Sequence, residues 1–174
     1  MAKPPQFLIE FATKHGCSLN PEGRLCFPSA LIEDIIANAR PRKFYPARAE
    51  KQNIDLSDGL SHFGHHGVAP MVMDFETGKY RNSTIVDLYD INRLIDVLPN
   101  LHMGGSVVVP GDVENSIDQI LNQIYASMAG TSKHIIIEIT HSEQVNPAIE
   151  LLEMILGDDQ HKKERSPVTF GFCP

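Results

Sequence analysis

One stretch sets several side chains that could do chemistry close together, His134-Ile-Ile-Ile-Glu138-Ile-Thr140-His141. It reads as a strand buried on both faces, where an unpaired carboxylate is costly. Glu138 shares parity with Ile136 and Thr140, so all three should point to one side. A carboxylate held there suits a cationic substrate, and a paired structural glutamate explains it equally well. Thr140, His141 and Ser142 stand at the C-terminal end of the run, where parallel α/β proteins bind ligands. They could as easily open a solvated loop. Asp112, in Pro110-Gly111-Asp112, ends a second apolar run; it is a rim residue or, more simply, a helix cap. A third cluster, His62-Phe-Gly-His65-His66, offers imidazoles to a metal. No helical spacing fixes its geometry, and a polar loop or hairpin flanked by Gly64 and Gly67 is the simpler expectation, with no metal. Cys17, Cys26 and Cys173 form no Cys-x-x-Cys pair, and their odd number suggests reduced thiols in the cytoplasm.

Several chemistries lack their signature. Gly104-Gly105 precede a strand instead of following one, and the turn after it holds one glycine, so a dinucleotide fingerprint is missing. There is no phosphate loop of the Gly-x-x-x-x-Gly-Lys type and no Gly-x-Ser-x-Gly elbow.

The elements that would position these residues follow from periodicity. Phe7, Leu8, Phe11 and Ala12 mark a first helix that Gly16 ends. Ser29 is placed to cap a second, with Leu31, Ile32, Ile35, Ile36 and Ala39 as its buried stripe and Arg40-Pro41 as its stop. Residues 44–82 carry glycines, prolines and short apolar pieces, the texture of strands and hairpins. From there a regular alternation begins. Thr84 caps a helix marked by Leu88, Ile91, Ile95 and Leu98, with Asp87 completing a capping box. Ser106-Val-Val-Val109 reads as a buried strand, and Asp112 as the cap of a long helix through Val113, Ile117, Ile120, Leu121, Ile124 and Met128. After the strand at 134–140, Asn146-Pro147 start a helix that Gly157 closes, and Val168-Thr-Phe-Gly-Phe172 is a last strand. Repeated βαβ units imply a parallel sheet with right-handed crossovers. An open doubly wound sheet and a (β/α) barrel both fit this pattern.

Composition agrees with a folded domain. The 174 residues are 42% hydrophobic and 21% charged, against disorder or a fibrous repeat. A net charge of -7 disfavours a nucleic-acid face. No apolar run approaches the ~20 residues of a membrane span, and Met-Ala-Lys-Pro-Pro lacks a signal peptide's apolar core, so export is not expected.

The central segment also carries a resemblance. Gly67-Val-Ala-Pro-Met-Val-Met-Asp74-Phe-Glu-Thr-Gly78-Lys-Tyr-Arg81-Asn-Ser-Thr84-Ile-Val-Asp87 resembles the trimethylamine methyltransferase family, which includes glycine-betaine methyltransferases. Asp90-Ile-Asn-Arg93-Leu-Ile-Asp96-Val-Leu-Pro99-Asn100, Pro110-Gly-Asp112-Val113, Thr131-Ser-Lys133-His134 and the terminal Ser166-Pro167 to Cys173-Pro174 follow in order. Upstream, Gly23-Arg-Leu-Cys-Phe-Pro28 is similar to the family's N-terminal region, so the likeness runs from about residue 7 to the end.

What the resemblance implies is a (β/α)8 TIM barrel, here incomplete. An N-terminal region of helices and short hairpins (1–82) would precede its first βα units (83–174). The implied reaction is nucleophilic attack by Co(I) of a corrinoid, carried on a partner protein, on an N-methyl carbon of a methylated amine. The substrate would be of trimethylamine or glycine-betaine type; in trimethylamine-specific members a pyrrolysine takes part, at a position beyond Pro174. Strand position then suggests Glu138 and His141 as catalytic residues, Glu138 as electrostatic partner of the amine, and Asp112 and Thr140 as substrate-binding residues at the rim. Family members continue past this chain's length, and three parallel strands cannot close a barrel. An exposed last strand favours association, so a homo-oligomer is expected. The alternative is a non-catalytic module docking a corrinoid protein or a full-length homologue.

Overall fold

The computed structural model describes residues 4–39, 44–65, 67–157 and 165–172. The chain forms two compact units, Met1–Arg42 and Lys43–Pro174.

In the first unit, helices α1 (Gln6–Lys14) and α2 (Ser29–Asn38) flank a two-stranded antiparallel ribbon of β1 (Ser18–Leu19) and β2 (Leu25–Cys26). Gly16 adopts φ 84° just past α1, as its placement predicts. Ala12, Cys17 and Leu25 form a small core with Leu8 and Leu31. Two expectations fail in α2. Pro28, not Ser29, is the capping residue, and its carbonyl accepts from Ile32. The expected buried stripe is not covered within this unit, since Ile32, Ile35 and Ile36 are 40%, 55% and 69% exposed. Periodicity marks an apolar face correctly, but a unit of this size supplies too little surface to bury it. The expected Arg40-Pro41 stop lies outside the described residues.

The second unit opens with β3 (Phe44–Tyr45) paired antiparallel to β4 (Ile54–Asp55), then the hairpin of β5 (Met71–Met73) and β6 (Tyr80–Asn82). Alternating elements follow: α3 (Ile85–Val97), β7 (Met103–Gly105), α4 (Ser116–Gly130), β8 (His134–Ile139), α5 (Val145–Leu156) and β9 (Val168–Phe172). The strands form one parallel sheet in the order β7-β8-β9. Isolated parallel bridges set Gly64 beside Met103 at the start of β7 and Ala69 beside Val108 just past its end.

Three boundaries differ from expectation. The β-branched run 106–109 is not the ladder; the ladder is Met103–Gly105, immediately before it. Gly105 has φ 131°, and a side chain there would run into the Ile136 carbonyl, so only glycine lets the backbones meet. The buried Asn92 side chain seals this edge, with Oδ1 accepting from Gly105 N–H (2.9 Å) and Nδ2 donating to its carbonyl (3.0 Å). Second, Asp112 does not cap α4. Asn115 does, accepting from the N–H groups of Ile117 and Asp118 (2.9 and 3.1 Å), whereas Asp112 accepts from Ile85 N–H in the first turn of α3 (3.0 Å). Third, a 3-10 turn over Ser142–Gln144 runs straight into α5, so Asn146 is helical and not a cap. Pro147 stays in the first turn, where a missing N–H costs nothing. The Thr84–Asp87 capping box and the Gly157 stop form as expected.

The core lies on one side of the sheet. Ile135, Ile137 and Ile139 of β8 pack with Ile120, Ile124 and Met128 of α4 and Ala148 and Leu152 of α5. Each buried isoleucine contributes roughly 2–3 kcal/mol. On the opposite face Ile136 and Glu138 are only half-buried. Two-sided burial of this strand, expected from its apolar run, is therefore not found. At the N-terminal end, His134 is buried, with Nδ1 2.6 Å from the Pro46 carbonyl and Nε2 2.8 Å from Thr169 Oγ1.

Candidate functional site at the C-terminal end of the parallel sheet

Glu138 points away from the helices, as its shared parity with Ile136 requires. The register sets it against Gly171 of β9. A Cβ on Gly171 would lie 2.9 Å from Glu138 Oε2 and 3.2 Å from Cδ, so the carboxylate lies across the gap the glycine leaves. The Glu138 side chain makes no hydrogen bond to another described residue. It is a half-buried anion on the less covered face, near the strand end where parallel sheets present ligands.

Two residues on, the strand end is tied down by Gln144, which sequence reasoning missed. Its Oε1 accepts from Thr140 N–H (3.0 Å) and His141 N–H (3.2 Å), and its Nε2 donates to the Ser116 carbonyl (3.2 Å) and hydroxyl (3.0 Å). One buried amide thus ties the end of β8 to the start of α4. Nothing periodic marks such a residue, because most of its partners are backbone groups. Thr140 Oγ1 lies 2.9 Å from His141 Nδ1, so these two candidates are joined directly. Asp112 is not brought to them; it is exposed and occupied as the cap of α3.

The remaining polar clusters serve packing. Lys133 is buried with Nζ donating to the carbonyls of Ile95, Leu98 and Leu101 at 2.7, 2.8 and 2.6 Å, closing the C-terminal end of α3. Burial pulls its ammonium below the usual lysine value, and the Asp96 carboxylate opposes that. For Asp96, burial pushes upward, but the N–H of Ser132 and the hydroxyls of Thr131 and Ser132 hold the carboxyl below its ordinary range. His62 Nε2 sits 3.0 Å from Asp58, His65 Nε2 2.9 Å from the Gly104 carbonyl, and His102 Nδ1 accepts from Phe63 N–H at 2.9 Å. His65 and His102 fasten Phe63 and His65 to the start of β7, His62 is held by Asp58, and His66 lies outside the described residues. Among the described residues no three metal-ligating side chains converge. A cavity of about 520 Å³, lined by Pro46, Arg48, Asn53, Met128, Arg165 and Pro167, opens at the N-terminal end of the strands. In parallel α/β folds that end serves stability and the opposite one ligands.

Comparison with known proteins bears on the same residues. The model of the trimethylamine methyltransferase (MTTB) family matches residues 5–173. The chain belongs to this family. It is 24% identical over 147 residues to trimethylamine methyltransferase MttB of Desulfitobacterium hafniense, an alignment covering 84% of this chain and 29% of that protein. The chain therefore spans less than a third of the length of this relative. In this member of the MTTB family, the segments that carry the likeness are largely scaffold: the capping box of α3, the Asp112 cap, and the Thr131–Lys133 turn that closes α3. No helix among the described residues is long and apolar enough to cross a membrane.

Proposed function

We propose that this chain is part of a methyltransferase that moves a methyl group from a methylated amine, of trimethylamine or glycine-betaine type, to a corrinoid carried by a partner protein. Family membership supports the reaction class, and the name of the relative points to trimethylamine as a model substrate. Sequential parallel strands with helices on one face suit the βα units of a (β/α)8 barrel, whose interior is the face carrying Glu138.

The observation that carries the reading is Glu138, a carboxylate without a hydrogen-bond partner among the described residues, half-buried on that face. Such a group attracts an alkylammonium and is worth more there than in water. As the carbon–nitrogen bond breaks, its electron pair stays with nitrogen and the methyl passes to the corrinoid. This chain's own part is to hold the nitrogen, with Glu138 for its charge and Thr140 and His141 at the rim. We place the activity in the cytoplasm and in a homo-oligomer.

The test is methyl transfer to added corrinoid protein with Glu138→Gln. The charge-neutral side chain is expected to lower turnover at least tenfold without loss of fold; unchanged turnover would remove Glu138 from the site. The chain's span of less than a third of its relative motivates one alternative, a non-catalytic module docking a corrinoid protein or a full-length homologue. Binding of corrinoid protein without methyl transfer would favour that alternative.

A further inference from the structure

We propose that Gly171 is a positioning residue: by carrying no side chain it lets the Glu138 carboxylate lie across β9, which sets where the nitrogen of an alkylammonium is held. A glycine inside a strand gives up packing and leaves the unfolded chain freer, so its presence calls for a local cause. The usual cause is backbone geometry. It applies to Gly105, whose φ of 131° and close approach to the Ile136 backbone exclude any side chain. Neither reason holds for Gly171. Its φ lies outside the left-handed region, so other residues could adopt its backbone. The three heavy atoms nearest to a Cβ there all belong to the Glu138 carboxyl group, Oε2 at 2.9 Å and Cδ and Oε1 at 3.2 Å.

The kind of atom in the way decides what a side chain would do. At Gly105 it is a peptide carbonyl, fixed by the ladder. At Gly171 it is the far end of a flexible side chain, which can turn to another rotamer while the β8–β9 ladder stays. An added methyl therefore pushes the carboxylate off β9 at little cost to the strands. Glu138 is half-buried without a hydrogen-bond partner among the described residues, so the room beside Gly171 is what locates its charge. Misplacing a catalytic group by an ångström costs on the order of 10²-fold in rate. This role deepens the reading of Glu138 as partner of the amine and rests on it.

The experiment compares the full chain with Gly171→Ala, using tetramethylammonium chloride as a cation whose charge does not depend on pH. Alanine is expected to leave the melting temperature equal or raised and the β8 amide shifts in place, since it replaces an interior glycine at a compatible backbone. In the wild type, nuclear Overhauser contacts should join the Gly171 α protons to the Glu138 γ protons, and the cation should shift the Glu138 carboxyl ¹³C resonance. In Gly171→Ala that resonance should move without ligand, and the cation should bind several-fold more weakly. The same alanine placed in Glu138→Gln should cause no further loss of binding, because no charge is left to misplace. Methyl transfer to added corrinoid protein should fall about tenfold in Gly171→Ala. A lowered melting temperature or a disturbed β8–β9 ladder in Gly171→Ala would mean that the glycine serves the backbone, and overturns the proposal. So does a wild type that binds the cation no better than Gly171→Ala. A wild type whose Glu138 resonance ignores the cation overturns the amine site itself, and the positioning role falls with it.

Discussion

At the scale of single residues, two charges are buried or half-buried to opposite ends. Glu138 is half-buried without a hydrogen-bond partner among the described residues, while Lys133 is saturated by three carbonyls. The contrast is what sets the role proposed for Glu138 apart from the structural one of Lys133. Lys133→Met is expected to cost about 2–4 kcal/mol, because three carbonyls lose their donor and Asp96 loses its counter-charge. Urea unfolding followed by circular dichroism measures this; a change below about 0.5 kcal/mol would show that water replaces the ammonium easily. Residue types alone singled out Glu138 from a run of isoleucines, since a carboxylate is improbable there. They passed over Lys133, whose carbonyl partners are distant in sequence, and Gln144, which joins two nearby N–H groups to distant Ser116.

At the scale of elements, caps decide where helices begin, and the aspartate that looked like the start of α4 serves α3. Asp112→Ala and Asn115→Ala should each lower stability by about 1 kcal/mol through different helices. Their effects should add within a few tenths of a kcal/mol in the double variant, as for caps without a shared partner. Strong coupling would mean that the two caps belong to one helix start. The β6–α3 corner makes a pH prediction. Arg81 pairs with both Asp87 oxygens at 2.7 and 2.8 Å, and these bonds, opposed by burial and reinforced by Thr84, hold the Asp87 carboxyl well below its usual range. A carboxyl depressed on folding stabilises above its unfolded value and loses that contribution as pH falls through the folded one, here below about pH 4. Melting temperatures between pH 5 and 2 should therefore fall less steeply in Arg81→Gln than in the wild type. Parallel curves would show that the pair contributes nothing to acid stability.

At the scale of the whole molecule, β9 pairs only with β8 among the described residues, and the Glu138 face lacks a helix layer. An open parallel edge seeks a partner strand. Sedimentation velocity over a hundredfold concentration range should show reversible self-association; a monomer throughout would mean that the edge is protected. Helix existence, strand order in the chain and the parallel βα alternation were all legible, because burial imposes periods of 3.6 and 2 that survive in any single segment. The ladder at Met103–Gly105 was not. Its glycines carry no apolar signal, and their suitability lies in how closely the Ile136 backbone approaches. The α2 stripe erred in the other direction: its period is helical, but what covers an apolar face depends on chain elsewhere.

The sequence by itself determined the family, the βα alternation, the capping box of α3 and the odd carboxylate in an isoleucine strand. These are local patterns, set by chain stereochemistry and the cost of burying charge. Only the tertiary structure decided that Glu138 lies across from Gly171 with no hydrogen-bond partner among the described residues, that Asp112 belongs to α3, and that Gln144 ties the end of β8 to Ser116 at the start of α4. Each of these rests on contacts whose energy falls off within a few ångströms. Such distances exist only once separate segments have packed together.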